Sequence, residues 1–228
     1  MIKKNQDYYS KNAALLGWGE KEAKIDNQRV ELLNKYLTGK EILDIGCATG
    51  IYVDFLSKKD LAVTGIDLVK EFVTRAKSSK QGEFIVGSAD KLPFKDKSFD
   101  SLYIFDLLEH GDDLKILTEA KRVARQRILV IVPRIVDPRL ANSGVIFRHY
   151  LDKSHLREYS EEMIRELAKK SGLKLLHIEK IHPLFNETVF MALFNGNNLV
   201  KKIIRKIVLI LLPVEKYYTE YFAVLVKN

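Results

Sequence analysis

Residues 41–50 read Glu41-Ile-Leu-Asp-Ile-Gly-Cys-Ala-Thr-Gly50, and this stretch predicts the fold around it. Its first half is an apolar run interrupted by one carboxylate, Asp44, a pattern typical of a buried strand. Its second half is a turn of small residues, Gly46, Ala48 and Gly50, where the backbone can approach a ligand closely. Such a turn at the carboxyl end of a parallel strand is where α/β folds bind nucleosides. The stretch therefore predicts an α/β fold with a nucleoside site.

The composition is that of a globular protein. The chain has 228 residues, 46% hydrophobic and 30% charged, and shows no internal repeat, so we expect one domain over residues 1–228 with a sizeable core. The only cysteine, Cys47, cannot form an internal disulfide, and the opening residues show no apolar leader. A reducing, cytoplasmic location is therefore expected. The net charge of +8 fits either a lysine-rich surface or an acidic partner such as nucleic acid or anionic lipid.

Strand and helix patterns alternate along most of the chain, which predicts a parallel sheet covered by helices. A helix is predicted to follow Ser160, and another to begin near Asp112. Segments 134–158 and 183–219 interrupt the alternation and are expected to be substrate-side or lid insertions. The predicted strands cover residues 41–45, 61–67, 83–87, 99–105, 127–132, 173–181 and 221–226.

The glycine spacing separates two classes of nucleoside site. A dinucleotide-binding turn, G-x-G-x-x-G, would need glycine at Ala48 and Ile51, so a nicotinamide oxidoreductase is disfavoured. The stretch instead resembles the first motif of class I S-adenosylmethionine-dependent methyltransferases, D/E-x-G-x-G-x-G. Asp44, Gly46 and Gly50 match that motif, and Ala48 replaces its middle glycine. Alanine preserves the close approach but disfavours a positive φ there.

Two later acids extend the resemblance, which covers residues 41–172 and, more loosely, the last two strands. Asp67 ends the second strand, where the family's acid binds the ribose hydroxyls. Asp90 follows Ala89 in a run, 88–100, that is similar to the family's D…LPF…SFD, whose acid binds the adenine amino group. From the residues alone, Asp67 could instead cap the next helix and Asp90 could begin a turn.

Two further motifs bear on the reacting end of the cofactor. Residues 99–110 resemble the family's FDVV…LEH, which implies backbone contacts to the methionine amino group near Ile104 and Phe105, with Leu107 and His110 near the sulfur. Residues 155–160, His-Leu-Arg-Glu-Tyr-Ser, resemble the HxRxYS stretch of small-molecule members. His155 and Tyr159 could reach over the pocket mouth, or they could join the loop to the following helix through hydrogen bonds.

The resemblance implies a Rossmann-like, doubly wound sheet of seven strands in the order 3-2-1-4-5-7-6, with strand 7 antiparallel. The N-terminal region 1–38 would form cap helices over S-adenosylmethionine, with Tyr8, Tyr9 or Trp18 available for contact. His155 or His110 is the candidate general base for in-line methyl transfer to a small molecule. The implied cofactor-binding residues are Asp44, Gly46, Cys47, Ala48, Gly50, Asp67, Leu68, Ala89, Asp90, Phe105 and His110.

Two other functions stay open at this point. An RNA or protein methyltransferase fits the net charge, although the chain has no N/D-P-P-Y/F signature after the fourth strand. A non-catalytic cofactor-binding partner subunit is the second. The five histidines are scattered along the sequence without H-E-x-x-H spacing, so no metal site is expected.

Segment 198–213 combines a basic and an apolar helical face. Lys201, Lys202, Arg205 and Lys206 share one side of the predicted helix, and isoleucines lie opposite. Such a helix could pack on the sheet, dock on an anionic membrane or form a dimer contact. Its apolar run is too short to span a bilayer, which takes about 20 residues.

Overall fold

The computed structural model describes residues 24–136, 150, 152–185 and 216–227. These residues contain a seven-stranded sheet. Its strands are β1 Glu41–Ile45, β2 Ala62–Asp67, β3 Glu83–Val86, β4 Phe99–Phe105, β5 Ala124–Pro133, β6 Leu173–Phe185 and β7 Lys216–Lys227.

The strand order is β3-β2-β1-β4-β5-β7-β6. The five strands from β1 to β5 pair in parallel, and β7 runs antiparallel to both β5 and β6. Both the predicted order and the predicted direction of the seventh strand are confirmed. Because the parallel strands all end at one edge, the loops that follow them meet there.

Helices connect the strands, and several begin at a capping side chain. The side chains of Asp26, Asp112 and Ser160 each accept a hydrogen bond from the backbone N–H three residues later, which satisfies one free donor of each first turn. The helices are α1 Asn27–Tyr36, α2 Ile51–Ser57, α3 Lys70–Ser79, α4 Asp113–Val123 and α5 Glu161–Lys170, with a 3-10 helix at Leu108–His110.

The sheet is buried on both faces, which explains the near-continuous apolar runs of its central strands. Leu43 and Ile45 of β1 pack on the side that includes Ile116 of α4. Ile42, one position along, packs on the opposite side with Leu33 of α1. Because alternate residues of one strand face opposite sides, helices cover both faces of the sheet. The carboxyl edge of the sheet remains open to a ligand.

The strands at the far side of the sheet are longer than predicted. β5 begins at Ala124, three residues before the predicted start, while β6 reaches Phe185 and β7 begins at Lys216. Their extra residues are mostly polar or aromatic, and pairing with a neighbouring strand holds them, since β6 pairs with β7 from Leu173 to Phe185 with one shift of register between Leu175 and His177.

Some predicted features lie outside the described residues. These are Tyr8, Tyr9 and Trp18, the basic segment 198–213, and the larger part of both expected insertions. Within the described ranges, no helix combines the length and the apolar character needed to cross a lipid bilayer.

Candidate functional site

A cavity of about 450 Å³ opens at the carboxyl edge of the sheet. The loops after the first four strands all contribute to its wall. Ten of the predicted cofactor-binding residues line it: Asp44, Gly46, Cys47, Ala48, Asp67, Leu68, Ala89, Asp90, Phe105 and His110. Gly50 lies behind the cavity at the start of α2, where its N–H bonds the Cys47 carbonyl at 2.8 Å.

Three of the five residues in the loop after β1 have a left-handed backbone conformation. The φ angles are +85° at Gly46, +45° at Ala48 and +76° at Gly50. The expectation that alanine would avoid a positive φ is therefore wrong. The Ala48 N–H donates to Asp67 Oδ2 at 2.8 Å, and this charge-assisted bond holds the strained backbone in place.

Both carboxylate oxygens of Asp67 accept hydrogen bonds from the protein's own backbone. Oδ2 accepts from Ala48, and Oδ1 accepts from the Val69 N–H at 2.8 Å. Asp67 therefore braces both the glycine loop and the start of α3. Each oxygen keeps a second acceptor position, so the ribose role also fits this geometry and stays a prediction. Burial raises the pKa of Asp67, against the pull of those backbone bonds.

Asp44 is a buried carboxyl group inside the sheet, 4% exposed. Burial raises its pKa to about 8, the charge of Asp67 adds to the rise, and the Tyr103 hydroxyl opposes it. Asp44 is therefore largely protonated at neutral pH in the cofactor-free protein. A cation at the cavity would favour the ionised carboxylate.

The predicted adenine end combines a polar turn with an apolar patch. The Ser88 hydroxyl donates to the Asp90 carboxylate, and the Lys91 N–H bonds the Ser88 carbonyl at 3.3 Å. The segment is thus a turn whose exposed acid also lines the cavity. Beside it, Val69 and Phe72 pack with Ala48 and form an apolar surface that the sequence reasoning did not identify.

Arg29 is a second residue that the sequence reasoning missed. It extends from α1 to the cavity, where its guanidinium lies 2.7 Å from Asp106 and 3.1 Å from Glu220. Asp106 itself has a φ of +51°. No motif marks Arg29, and its partners lie far away in the sequence, so only the fold could bring these charges together.

Four polar residues cluster on the wall behind His110. His110 Nδ1 lies 2.7 Å from Ser154 Oγ, and the rings of His110 and His155 meet edge to face at 4.7 Å. His155 Nε2 lies 3.5 Å from Asp152 and 4.0 Å from Glu109. Burial raises the pKa of Glu109 well above its usual range. His110 lines the cavity, whereas His155 is partly buried behind it.

Tyr159 joins the loop to the helices and does not reach the cavity mouth. It is 1% exposed, its hydroxyl donates to Asp113 at 3.0 Å, and its N–H bonds the Pro133 carbonyl at 2.9 Å. Of the two sequence interpretations, the hydrogen-bonded connection is correct for this residue, and the expectation that it covers the mouth is wrong.

Comparison with known proteins identifies the class. The family model of a methyltransferase domain matches residues 43–132. An O-methyltransferase of Aspergillus nomiae is 31% identical over 153 residues, which cover 63% of this chain and 68% of that protein. A demethylmenaquinone methyltransferase of Thermotoga maritima is 32% identical over 129 residues, or 54% of this chain and 56% of that relative's length.

Solved structures share the fold at low sequence identity. Magnesium protoporphyrin IX methyltransferase from Synechocystis, solved with bound SAH, aligns with a TM-score of 0.64 at 14% identity, covering 98% of both chains. A putative methyltransferase of Haloferax volcanii, in complex with the Trm112 activator, aligns at 0.69 and 17% identity, covering 98% of this chain and 97% of that one.

This chain belongs to the class I S-adenosylmethionine-dependent methyltransferases, and S-adenosylmethionine is its cofactor. The residues at the cavity fit that compound. The side chain of Leu107 packs against Gly46, and a Cβ on Gly46 would lie 3.2 Å from it. Glycine at this position therefore lets the loop backbone lie against Leu107 at the cavity wall. Two carboxyl groups, Asp44 and Asp67, also face a space that would receive a positively charged nucleoside.

Proposed function

We propose that this protein transfers the methyl group of S-adenosylmethionine to a hydroxyl group of a small-molecule acceptor. The observation that carries the proposal is the cavity itself. The glycine loop, Asp67 and His110 line one space of about 450 Å³, a volume typical of small-molecule sites.

Each end of the cofactor has a proposed partner. Asp67 would accept hydrogen bonds from the ribose hydroxyls with the acceptor positions that its backbone bonds leave open. Asp90 would meet the adenine amino group, with Leu68 and Ala89 beside the ring. Asp44 would orient the methionine end across the glycine loop.

The reacting end lies toward the loop after β4. S-adenosylmethionine supplies a methyl group on a sulfonium, which is ready for in-line displacement. Phe105 and Leu107 would exclude water from the sulfur, and His110 would face the acceptor. We propose that the acceptor's proton leaves at the cluster of His110 and His155, since a hydroxyl nucleophile must lose a proton.

The relatives support an oxygen acceptor of small size. Three fungal relatives are named O-methyltransferases, and one from Hydrogenovibrio crunogenus is named for ubiquinone biosynthesis. The sequence similarity to them is modest, so the acceptor is proposed as a class, a hydroxylated small molecule.

The proposal is tested by following a labelled methyl group. The protein is incubated with methyl-labelled S-adenosylmethionine and, separately, with the small-molecule, RNA and protein fractions of a cell extract. We expect label in the small-molecule fraction alone, and at least about tenfold less with Asp67→Asn, which replaces one of the two oxygens proposed to accept from the ribose and removes the negative charge.

The same experiment decides between the alternatives. Label in RNA or in protein would contradict the small-molecule proposal and would support an RNA or a protein methyltransferase instead. No transfer to any fraction, together with tight cofactor binding, would point to a non-catalytic partner subunit. Alanine replacements of His110 and His155 that both retain the parent rate would contradict the proton-removal role.

A further inference from the structure

We propose that Glu109, His110 and His155 form a binding site for a divalent first-row transition-metal ion beside the cofactor cavity. One ligand atom from each of the three lies within 4.8 Å of those from the other two. Two imidazoles and one carboxylate are a donor set that suits zinc, manganese, iron or cobalt rather than magnesium or calcium. The two histidines are 45 positions apart in the sequence, which is why no spacing motif reveals them.

Glu109 supplies an independent argument for a ligand. Its side chain is 1% exposed, and among the residues that the structure describes neither carboxyl oxygen has a hydrogen-bond partner. Buried polar groups are almost always paired, and a buried carboxylate is normally paired or bound to a metal. A cation between Glu109 and the two imidazoles would satisfy it.

A neighbouring hydroxyl fixes the His110 ring as metal-binding histidines are commonly fixed. Ser154 is fully buried, and its hydroxyl lies 2.7 Å from His110 Nδ1. The Ser154 N–H donates to Asp152 Oδ1 at 2.7 Å, and the other oxygen of Asp152 lies 3.5 Å from His155 Nε2. Asp152 therefore adds negative charge beside His155 Nε2 that would attract a cation.

The distances require little rearrangement. Bound zinc holds nitrogen and oxygen ligands at about 2.0–2.2 Å, which leaves ligand atoms about 3–4 Å apart. His155 Nε2 is already 4.0 Å from Glu109 Oε1. Side-chain shifts of about 1 Å would close the site. Three protein ligands would leave a coordination position open.

The site has a consequence for the acceptor. His110 belongs both to the cluster and to the cavity wall, so a bound ion would lie on the acceptor side. Its charge would favour an acceptor oxygen in the deprotonated form, whose proton would pass to solvent. With the ion bound, the histidines would act as ligands in place of the proton-accepting role proposed above. This consequence rests on the proposed function, whereas the ion site does not.

The test is direct titration of the full, tag-free chain after treatment with a chelator. Zinc is titrated by calorimetry and cobalt by visible absorption, whose ligand-field bands report coordination. We expect one ion per chain with a Kd of about 1 μM or tighter. Glu109→Gln and His155→Gln should each weaken binding at least about tenfold.

A matched control lies on β6. His177 pairs with Glu179 at 3.0 Å, and neither residue belongs to the cluster, so His177→Gln removes a histidine beside a carboxylate without touching the cluster. It should bind the ion with the parent affinity. Circular dichroism and S-adenosylhomocysteine titration check that each variant is folded.

Binding of well under one ion per chain by the parent protein would overturn the site, and this holds even if both variants fail to fold. Unchanged affinity in both folded variants would also overturn it. Ion binding without cofactor binding would support the ion site and contradict the proposed function. Cofactor binding without ion binding would contradict the ion site and leave the proposed function unaffected.

Discussion

At the scale of single residues, Ala48 shows how the glycine loop accepts a departure from its motif. Its φ is +45°, a region that costs an L-residue about 1–2 kcal/mol. The bond to Asp67 at 2.8 Å compensates for that strain. The loop keeps its shape because a neighbouring strand supplies a carboxylate at the right place.

Ala48→Gly should therefore stabilise the protein. Glycine relieves the left-handed strain but costs some chain entropy in the unfolded state, so the expected net gain is about 1 kcal/mol. Gly50→Ala is the matched contrast, because a Cβ there would collide with the ring of Phe84, and it should cost about 2–4 kcal/mol. Urea unfolding measures both, and a loss of stability in Ala48→Gly would contradict the strain assignment.

Asp44 predicts a pH dependence of cofactor binding. Its pKa of about 8 means that the free protein holds a proton there at lower pH. A cationic cofactor favours the carboxylate, so binding releases that proton. Affinity for S-adenosylmethionine should then rise between pH 6 and pH 8, by up to about tenfold per unit, and level off above.

Calorimetry across that pH range checks this prediction, and Asp44→Asn provides the control because it cannot titrate. The variant should bind more weakly with a flatter pH profile. Equal slopes for parent and variant would assign the dependence to another group.

At the scale of elements, the segment from Asp152 to Ser160 is held to its neighbours by polar contacts. Arg157 bonds the Gly111 carbonyl at 2.9 Å and lies 3.0 Å from Asp113. The Tyr159 hydroxyl bonds the same carboxylate. These contacts anchor the segment to the end of the 3-10 helix and the start of α4, next to the cluster around His110.

Tyr159→Phe tests whether this anchoring is structural. Removing one buried hydroxyl should lower the free energy of unfolding by about 1 kcal/mol, while S-adenosylhomocysteine affinity changes less than about twofold. Thermal unfolding and calorimetry measure the two effects. A large loss of affinity with intact stability would instead place Tyr159 in the site.

At the scale of the whole molecule, the hydrophobic pattern and the order of the motifs were enough to predict the strand order. The strands Glu41–Ile45 and Phe99–Phe105 were predicted to the residue, because both are apolar and bounded by turn residues. The ends of β6 and β7 were missed, since strand pairing rather than composition decides where they stop.

The site was predictable where a motif carries the residue, as at Asp67 and Asp90. The sequence did not reveal Arg29, Phe72 or the contact between Glu109 and His155, because these depend on which loops the fold brings together. The roles of all these residues stay proposals, and so does the single-domain assignment of residues 1–228.

In the proposed site, the cavity binds the cofactor at Asp67. Titration calorimetry of the full chain with S-adenosylhomocysteine tests it most directly, with Asp67→Asn beside the parent protein. We expect one site with a Kd in the micromolar range or tighter and a loss of about tenfold or more in the variant. No binding by the folded parent protein, or equal affinity in the two proteins, would contradict it.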